Sequence, residues 1–209
     1  MQEFNVENWN RKNQFNFFKD YEDPFFNLTA NIDVTNLYDF CKKEKLSFSL
    51  ACIYVAIKSI NEILEFRLRF FKGKVVLFDE VPIGSTVLNE DNTFSFCVFN
   101  FKPSIEEFIL EGNKIIENHK IGVKFDPKEN EVGIVHCSTL PWVSFTGMKH
   151  ARKGDEGSKG IPKIVFGKRF EENKAKKIPF SVEVHHALMD GFHAGLLFEK
   201  MQNYIDNLK

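Results

Sequence analysis

Two adjacent histidines near the C-terminal end, His185 and His186, are the side chains best suited to chemistry in this chain. Histidine is the most common general base in enzymes, because its ordinary pKa of about 6.5 lies close to the working pH. Apolar and polar residues alternate over 180–184, which predicts a half-buried strand that ends at the pair. Because neighbouring side chains on a strand point to opposite faces, only one of the two histidines faces any given cleft.

The residues after the pair predict a tight turn followed by a helix. Gly191 permits backbone conformations that other residues resist. Beyond it, four apolar residues recur at helical spacing: Leu196, Leu197, Met201 and Tyr204. This order of strand, turn and helix holds an imidazole at the end of a sheet. For a bare His-His pair, two ordinary histidines at the end of a strand remain the alternative interpretation.

The longer pattern His-His-x-x-x-Asp-Gly, continued here by Phe192-His193, resembles the active-site motif of chloramphenicol acetyltransferases. It also resembles, more loosely, the motif of other coenzyme A-dependent acyltransferases. Two further motifs follow that family's order, Trp9-Asn10-Arg11-Lys12 and the stretch from Ser138 to Phe145. The resemblance therefore runs from about Val6 to Leu208.

This resemblance implies an α/β fold, an α+β two-layer sandwich in which a mixed sheet packs against helices, as a single acyltransferase domain over residues 1–209. It implies a homotrimer with active sites between subunits. His186 would be the general base that takes the proton from an acceptor hydroxyl as that oxygen attacks acetyl-coenzyme A. Ser138 would donate a hydrogen bond to the developing oxyanion, and Asp190 would pair with Arg11 to hold the turn. A direct contact that orients His186 through Asp190 stays open.

The predicted function is therefore O-acetyl transfer to a small hydroxyl acceptor, chloramphenicol or a related compound, with an implied role in antibiotic resistance. No covalent acyl-enzyme and no metal are expected. Cys137 adjoins Ser138, but on a strand it points the other way, so we interpret it as core. Two alternatives remain open: a family member that binds a ligand or coenzyme A with weak turnover, and the catalytic core of a dihydrolipoyl acyltransferase. The chain carries no recognisable lipoyl segment, which argues against the second.

Several positions depart from the family pattern, mostly around the acceptor. The resemblance implies substrate contacts at Phe18, Val165 and Trp142, but the family has tyrosine at the first and threonine at the second. The basic loop Lys149–Lys159 replaces an apolar wall and has no apolar anchor, so we expect it to be mobile or ordered by a partner. Chloramphenicol should then be a poor acceptor and a more polar hydroxyl compound a better one, unless other phenylalanines rebuild the wall (Phe96, Phe99 and Phe101). Near the coenzyme tail, Ser47 and Ser49 stand where the family has lysine and tyrosine.

Composition narrows the class of protein. The chain has 209 residues, is 43% apolar and contains 24 phenylalanines against 4 tyrosines, which suits a large Phe-rich core or an aromatic-walled pocket. A net charge of −1 favours neither nucleic acid nor an anionic membrane as partner. The four cysteines form no Cys-x-x-Cys pair, and we find no signal pattern and no apolar run of about 18 residues. We therefore expect a cytoplasmic protein with reduced thiols.

The remaining pattern predicts a succession of short elements around these motifs. We expect a first helix within Val6 to Asp20 and a polar loop over Lys120 to Glu131. Thr35 is a candidate helix cap, as are Ser47 and Ser49. The other predicted elements are a strand from Phe25 to Val34, a buried helix from Leu50 to Leu64, hairpins from Phe66 to Asp79 and from Thr86 to Phe101, a helix after Pro103-Ser104, a strand from Val132 to Leu140, and a hairpin of Ile164–Arg169 with Ile178–Val184.

Overall fold

The computed structural model describes residues 1–120, 126, 132–153 and 159–208. Five α-helices lie within these ranges. They are Lys12–Phe18 (α1), Thr35–Glu44 (α2), Phe48–Asn61 (α3), Ile105–Lys120 (α4) and Gly191–Asp206 (α5), with short 3-10 helices at Val6–Asn8 and Leu64–Arg67. Across the described residues, no helix combines the length and the apolar character needed to cross a bilayer.

The strands form one large mixed sheet and one small sheet. In chain order they are Gln2–Glu3 (β1), Phe25–Asp33 (β2), Leu68–Phe71 (β3), Lys74–Leu77 (β4), Ile83–Leu88 (β5), Phe94–Phe99 (β6), Val135–Thr139 (β7), Lys163–Phe166 (β8), Phe170–Glu172 (β9) and Ala175–His185 (β10). The large sheet has the order β2-β10-β8-β7-β5-β6, with β9 paired to β10. The β5–β7 and β7–β8 pairs are parallel and the rest of the sheet is antiparallel. The small sheet has the order β1-β4-β3.

The core lies between one face of the large sheet and the helices. Strand β10 contributes Phe180, Val182 and Val184 to it, all fully buried. Helix α3 is buried on most of its faces because it packs against α2, α4 and α5. The other face of β10 carries Ser181, Glu183 and His185, which are also buried although they are polar. The central strand is therefore covered on both faces, and it ends at the histidine pair.

The structure divides the predicted first helix into a 3-10 helix and α1. The side chain of Asn5 caps the 3-10 helix by accepting a hydrogen bond from the amide of Asn8, 3.2 Å away. Arg11 then takes a non-helical conformation, with φ −95° and ψ 15°, immediately before α1 begins. The prediction of one continuous helix was wrong because the Arg11 side chain is directed into a buried site instead of along a helix surface.

Two other boundaries differ from the sequence prediction. Ser47 caps α3 by accepting from the amide of Leu50, so this helix starts at Phe48 and Ser49 lies within it. Strand β10 is longer than expected because Asn173 and Lys174 adopt positive φ and turn the chain directly back onto β9. The predicted loop Lys120 to Glu131 lies almost entirely outside the described residues.

Candidate active site

The end of β10 sends the two histidine rings into different surroundings. His185 is 1% exposed and lies between Phe25 and Phe70, with ring centroids 5.1 Å and 4.9 Å away. Its Nδ1 also accepts from the amide of Ala187 at 3.2 Å, which braces the turn. His186 is partly exposed, and its ring stacks on Phe18 with centroids 3.7 Å apart. Of the two, His186 is therefore the ring open to a substrate.

Aromatic contacts hold the His186 ring. Phe18 lies almost parallel to it, at 7°, and Phe26 contacts it at a centroid distance of 4.8 Å. The His186 amide donates to the carbonyl oxygen of Pro24 at 2.8 Å, which fixes the backbone. Nδ1 of His186 is buried and has no hydrogen-bond partner among the described residues. No described carboxylate orients this ring, so the structure does not support a triad through Asp190.

Arg11 connects the N-terminal segment to the turn that carries His186. Its side chain is 8% exposed, and its Nε lies 3.1 Å from Oδ2 of Asp190. Its Nη1 donates to the carbonyl oxygen of Ala187 at 3.1 Å, and its Nη2 donates to that of His186 at 3.3 Å. The guanidinium also lies over the Trp9 ring at 5.0 Å. Arg11 thus binds the carbonyl oxygens of two consecutive residues, His186 and Ala187, and fixes the backbone of this turn.

Asp190 is the residue that joins this turn to helix α5. It is the N-cap of α5, and its Oδ1 accepts from the amide of Phe192 at 3.0 Å. The same oxygen lies 2.9 Å from Nδ1 of His193. Burial raises the pKa of the Asp190 carboxyl, but the charges and hydrogen bonds of His193 and Arg11 outweigh it and leave the pKa below its ordinary value. Asp190 is therefore an anion at neutral pH.

Ser138 and Val165 lie in one row across the sheet, away from His186. Ser138 on β7 pairs with Val165 on β8, Val165 pairs with Ser181 on β10, and Ser181 pairs with Thr29. His186 comes five residues after Ser181, so at about 3.3 Å per residue it lies roughly 16 Å further along the strand direction. Within one chain, Ser138 and His186 are therefore too far apart to act on the same atom.

Trp142 and Cys137 also lie apart from the His186 turn. Trp142 is 64% exposed on the chain just after β7. Cys137 is in the core, and burial raises the pKa of its thiol to about 12. A thiol held in that form is a poor nucleophile. The described residues contain no cluster of three or more histidine, cysteine, aspartate or glutamate side chains suited to a metal.

A cavity of about 450 Å³ opens beside the end of β7. Its walls are mostly apolar, with Cys52, Phe166 and Ile178 among them, and Lys168 and Arg169 add two cations. Ser49 and Thr139 also line it, and Thr139 is the next residue after Ser138. The cavity therefore offers an apolar channel with positive charge, close to the backbone of the predicted oxyanion donor.

The first part of the basic loop is anchored to the sheet. Nε of Arg152 lies 2.6 Å from Oε1 of Glu183, whose side chain is 2% exposed. The Arg152 guanidinium also lies over the Phe25 ring at 3.3 Å, and Lys149 pairs with Asp23 at 3.0 Å. We expected this loop to be mobile or ordered by a partner because it has no apolar anchor. That expectation was wrong for residues 149–153, because the charged side chain of Arg152 anchors them to Glu183 and Phe25. Residues 154–158 lie outside the described part of the chain.

The structure adds residues to this site that the sequence analysis did not single out. Phe26 contacts the His186 ring, and Glu65 reaches the far side of His193, with Oε1 3.4 Å from Nε2. His193 entered the sequence analysis only as part of the extended motif. An acidic residue within a short 3-10 helix gives no local signal of such a contact. The one local signal that could have indicated a role at the helix start is the position of His193 three residues after Asp190, which is the spacing of a capping box.

Fold and site together define a class, the acyltransferases built around a His-His-x-x-x-Asp-Gly motif at the end of a central strand. The family model described as chloramphenicol acetyltransferase matches residues 1–202. The chain belongs to the chloramphenicol acetyltransferase family, which confirms the sequence-based prediction of an acyltransferase of this type.

Individual relatives agree with this assignment. The chain is similar to a chloramphenicol acetyltransferase from Clostridium butyricum, with 32% identity over 94% of this chain and 91% of that protein. A solved chloramphenicol acetyltransferase superimposes with a TM-score of 0.91 and 27% identity, covering 98% of this chain and 99% of that one. This likeness confirms the predicted fold class. The cubic core of a pyruvate dehydrogenase multienzyme complex shares the fold alone, with a TM-score of 0.70 and 14% identity over 88% and 82% of the two chains.

Proposed function

We propose that this protein transfers an acetyl group from acetyl-coenzyme A to a hydroxyl of a small acceptor, chloramphenicol or a related compound. The observation that carries the proposal is the His186 ring itself. It is held by Phe18 and Phe26, lies on a turn fixed by Arg11 and Asp190, and belongs to a residue that is partly exposed. A ring that is fixed and accessible in this way is suited to general base catalysis, which typically contributes about 10²–10⁴-fold in rate.

The reaction uses His186 first as a base and then as an acid. Nε2 of His186 takes the proton of the acceptor hydroxyl as that oxygen attacks the thioester carbonyl carbon. The carbonyl oxygen becomes an oxyanion, to which the Ser138 hydroxyl donates a hydrogen bond. Losing one such donor costs about 10²–10³-fold in kcat in a well-studied protease. The carbon–sulfur bond then breaks, and coenzyme A leaves as a thiol with the proton that His186 returns.

We infer that each active site combines two copies of the chain, and that the protein is a homotrimer. The separation of Ser138 from His186 supports this inference, because one chain cannot bring both side chains to one carbonyl group. The exposed apolar side chains near the two motifs, Trp142 and Phe192, also fit a surface that another subunit covers. His186 of one subunit would then face Ser138 of its neighbour.

Acetyl-coenzyme A fits the cavity beside the end of β7. Its pantetheine arm needs a narrow and largely apolar channel, and its phosphates need cations, which Lys168 and Arg169 supply. Ser47 and Ser49 have no positive charge, so the phosphate contact falls to the β8–β9 connection. Thr139 in the wall would bring the thioester close to Ser138.

We assign the activity to a single acyltransferase domain over residues 1–209 that works in the cytoplasm and confers antibiotic resistance if chloramphenicol is turned over. One core cluster runs from Ile32 to Ile205, which supports one domain. All four cysteines are free and buried, which suits a reducing compartment. The acceptor side favours a polar compound, because Arg152 with Glu183 places charge where the family has apolar wall.

The test is release of the coenzyme A thiol from acetyl-coenzyme A over a panel of hydroxyl acceptors that includes chloramphenicol. His186→Ala should abolish release while circular dichroism and coenzyme A binding stay unchanged. His185→Ala should lower the melting temperature, because His185 fills a buried site between two aromatic rings. Turnover at a normal rate in folded His186→Ala protein would reject the proposed base.

A further inference from the structure

A row of four ionisable groups runs from the N-terminal segment to the 3-10 helix Leu64–Arg67. Arg11 contacts Asp190, Asp190 contacts His193, and His193 contacts Glu65. The side chains of Arg11, His193 and Glu65 are 8%, 9% and 17% exposed. Three separate parts of the chain therefore meet in one mostly buried cluster next to the His186 turn. The acyl-transfer mechanism proposed above uses Arg11 and Asp190 but leaves His193 and Glu65 without a role.

The two ring nitrogens of His193 both face carboxylate oxygens. Nδ1 lies 2.9 Å from Oδ1 of Asp190, and Nε2 lies 3.4 Å from Oε1 of Glu65. A neutral imidazole carries one N–H and can donate to only one of them. It would also direct a bare nitrogen lone pair at the other carboxylate. A ring protonated on both nitrogens donates to both oxygens, and both hydrogen bonds are then charge-assisted.

One further contact bears on the state of Nδ1. The amide nitrogen of Asp190 lies 3.2 Å from Nδ1 of His193, which would suit an unprotonated Nδ1 that accepts from it. The contact between Nδ1 and Oδ1 of Asp190 is shorter, at 2.9 Å, and joins the ring to a charged group. The shorter contact is a hydrogen bond only when Nδ1 carries a hydrogen. The distances therefore favour donation from Nδ1 to Asp190.

Both carboxylates are ionised at neutral pH. Burial raises the pKa of Glu65, but its hydrogen bond with His193 and the charges of His193 and Arg11 outweigh burial and lower the pKa. Asp190 behaves in the same way, as described above. The charged groups that face the His193 ring are thus Asp190 from the turn, Glu65 from the 3-10 helix and, beyond Asp190, Arg11. If the His193 ring is protonated, charges of opposite sign alternate along the row and each buried charge has a partner.

We propose that His193, protonated on both ring nitrogens and held by Glu65, is a positioning residue for the proposed general base His186. His193 fixes the carboxylate of Asp190, and Asp190 fixes the guanidinium of Arg11. Arg11 in turn holds the carbonyl oxygens of His186 and Ala187. The row thereby fixes the position of the His186 turn relative to a substrate bound by a neighbouring subunit. Displacing a reacting group by about 1 Å costs roughly 10²-fold in rate, so a small shift of this turn is sufficient to affect turnover.

The first experiment observes His193 without using activity. Wild-type protein is labelled with ¹⁵N-histidine, and the ring nitrogens are recorded at pH 7.5. One histidine should show both nitrogens at imidazolium shifts, and that signal should disappear in His193→Gln. In Glu65→Gln the signal should weaken or move toward a neutral ring. A neutral His193 ring in folded wild-type protein overturns the proposal.

The second experiment measures turnover in matched variants. Glu65→Gln keeps the shape of the side chain but removes its charge, and Glu62→Gln is the control, since Glu62 pairs with Lys200 at the surface 2.9 Å away. Glu65→Gln should lower kcat by about 5-fold or more, with the KM for both substrates within about 2-fold, because a charge-assisted hydrogen bond is about twice as strong as a neutral one. Glu62→Gln should leave kcat unchanged. Equal kcat values in Glu65→Gln and Glu62→Gln overturn the proposal.

The double variant His193→Gln/Glu65→Gln separates positioning from simple support of the fold. If Glu65 acts through His193, the double variant should lose no more activity than His193→Gln alone, whereas independent residues would add their losses. Additive losses therefore count against the proposal.

The inference rests on the proposed function, and the two fail in different ways. If wild-type protein releases no thiol with any acceptor, the proposed function fails, and the ring shifts of His193 decide the inference. If wild-type protein turns over while His193 is neutral, the proposed function stands and the inference fails.

Discussion

The Phe18 ring lies face to face with the His186 imidazole, with centroids 3.7 Å apart and planes within 7° of parallel. No described group forms a hydrogen bond with Nδ1 of His186. The orientation of the proposed base therefore depends on a flat aromatic contact and on Phe26 beside it. Aromatic pairs of this kind contribute about 0.5–1.5 kcal/mol beyond the area they bury.

Removing the Phe18 ring should lower kcat more than it affects substrate binding. Phe18→Ala frees the imidazole to rotate, and we expect kcat to fall about 10-fold, which corresponds to about 1.4 kcal/mol of barrier. Phe18→Tyr is the matched control, since it keeps the stacked ring and adds the hydroxyl found in the family. Steady-state kinetics at saturating acetyl-coenzyme A check this prediction. Equal kcat values for Phe18→Ala and wild type would show that the ring does not hold the base.

The Arg11–Asp190 pair should stabilise the fold as well as the site. Asp190→Asn leaves the guanidinium of Arg11 mostly buried without its anion, and Arg11→Ala leaves two carbonyl oxygens of the turn without a donor. Each change should destabilise the protein by about 1.5–3 kcal/mol, the usual range for hydrogen bonds to charged groups. Melting temperatures by calorimetry and thiol release should fall together. Loss of activity at unchanged stability in both variants would indicate a direct catalytic role for the aspartate.

Acid should remove the stability that Asp190 provides. Its pKa in the folded protein lies below the ordinary value, so the anion stabilises the fold above that ordinary value, near 4. This stabilisation is lost as the pH falls through the lower, folded-state pKa. The difference in melting temperature between wild type and Asp190→Asn should therefore be constant between about pH 6 and 5, below the range in which a histidine titrates, and shrink below about 4. A difference that grows toward acid pH would contradict this sign.

Much of the fold follows from local pattern, whereas the site depends on contacts between distant segments. The alternation before His185 predicts β10 and the apolar faces of residues 50–64 predict buried α3, because each pattern needs only neighbours in sequence. Arg11 and Asp190 are 179 residues apart. From the sequence, only the resemblance to the family motif predicted that they pair. Glu65 had no such motif, so its contact with His193 became visible only in three dimensions.

The anchoring of the loop after Phe145 is another feature that the sequence pattern could not predict. Sequence pattern identifies an anchor by its apolar residues, so the basic stretch that begins at Lys149 was interpreted as unanchored. The structure holds Arg152 between Glu183 and Phe25, which are far from it in sequence. The alternative in which Phe96, Phe99 and Phe101 rebuild the acceptor wall is limited by the fold at Phe99. Phe99 is buried in the core against Phe108 of α4, so it does not face the opposite side of the sheet.

Chloramphenicol should consequently be a slow acceptor in the wild-type protein. Its kcat/KM should lie far below the diffusional ceiling of about 10⁸ M⁻¹s⁻¹. Replacing the buried charges with neutral side chains, as in the double variant Arg152→Val/Glu183→Gln, should lower the KM for chloramphenicol several-fold. Arg152→Val alone should instead destabilise the fold by about 3–5 kcal/mol, because it leaves the buried Glu183 carboxylate without its cation.

A kcat/KM near the ceiling in wild type would show that the acceptor wall is intact despite these charges. An unchanged KM in the stable double variant would show that Arg152 and Glu183 lie outside the acceptor site. Either result would reject our account of acceptor preference but leave the proposed base untouched.

The central claim is that His186 of one subunit and Ser138 of another act on the same thioester. The most direct measurement is thiol release by oligomers formed when differently tagged His186→Ala and Ser138→Ala chains are co-expressed and purified through both tags. Each variant alone should be nearly inactive. Purification through both tags leaves only trimers that contain both kinds of chain, and in each of these one of the three interfaces pairs an intact histidine with an intact serine, so about one third of wild-type activity should return. Mixed oligomers as inactive as the separate variants, or an active wild-type monomer by light scattering, would contradict the account.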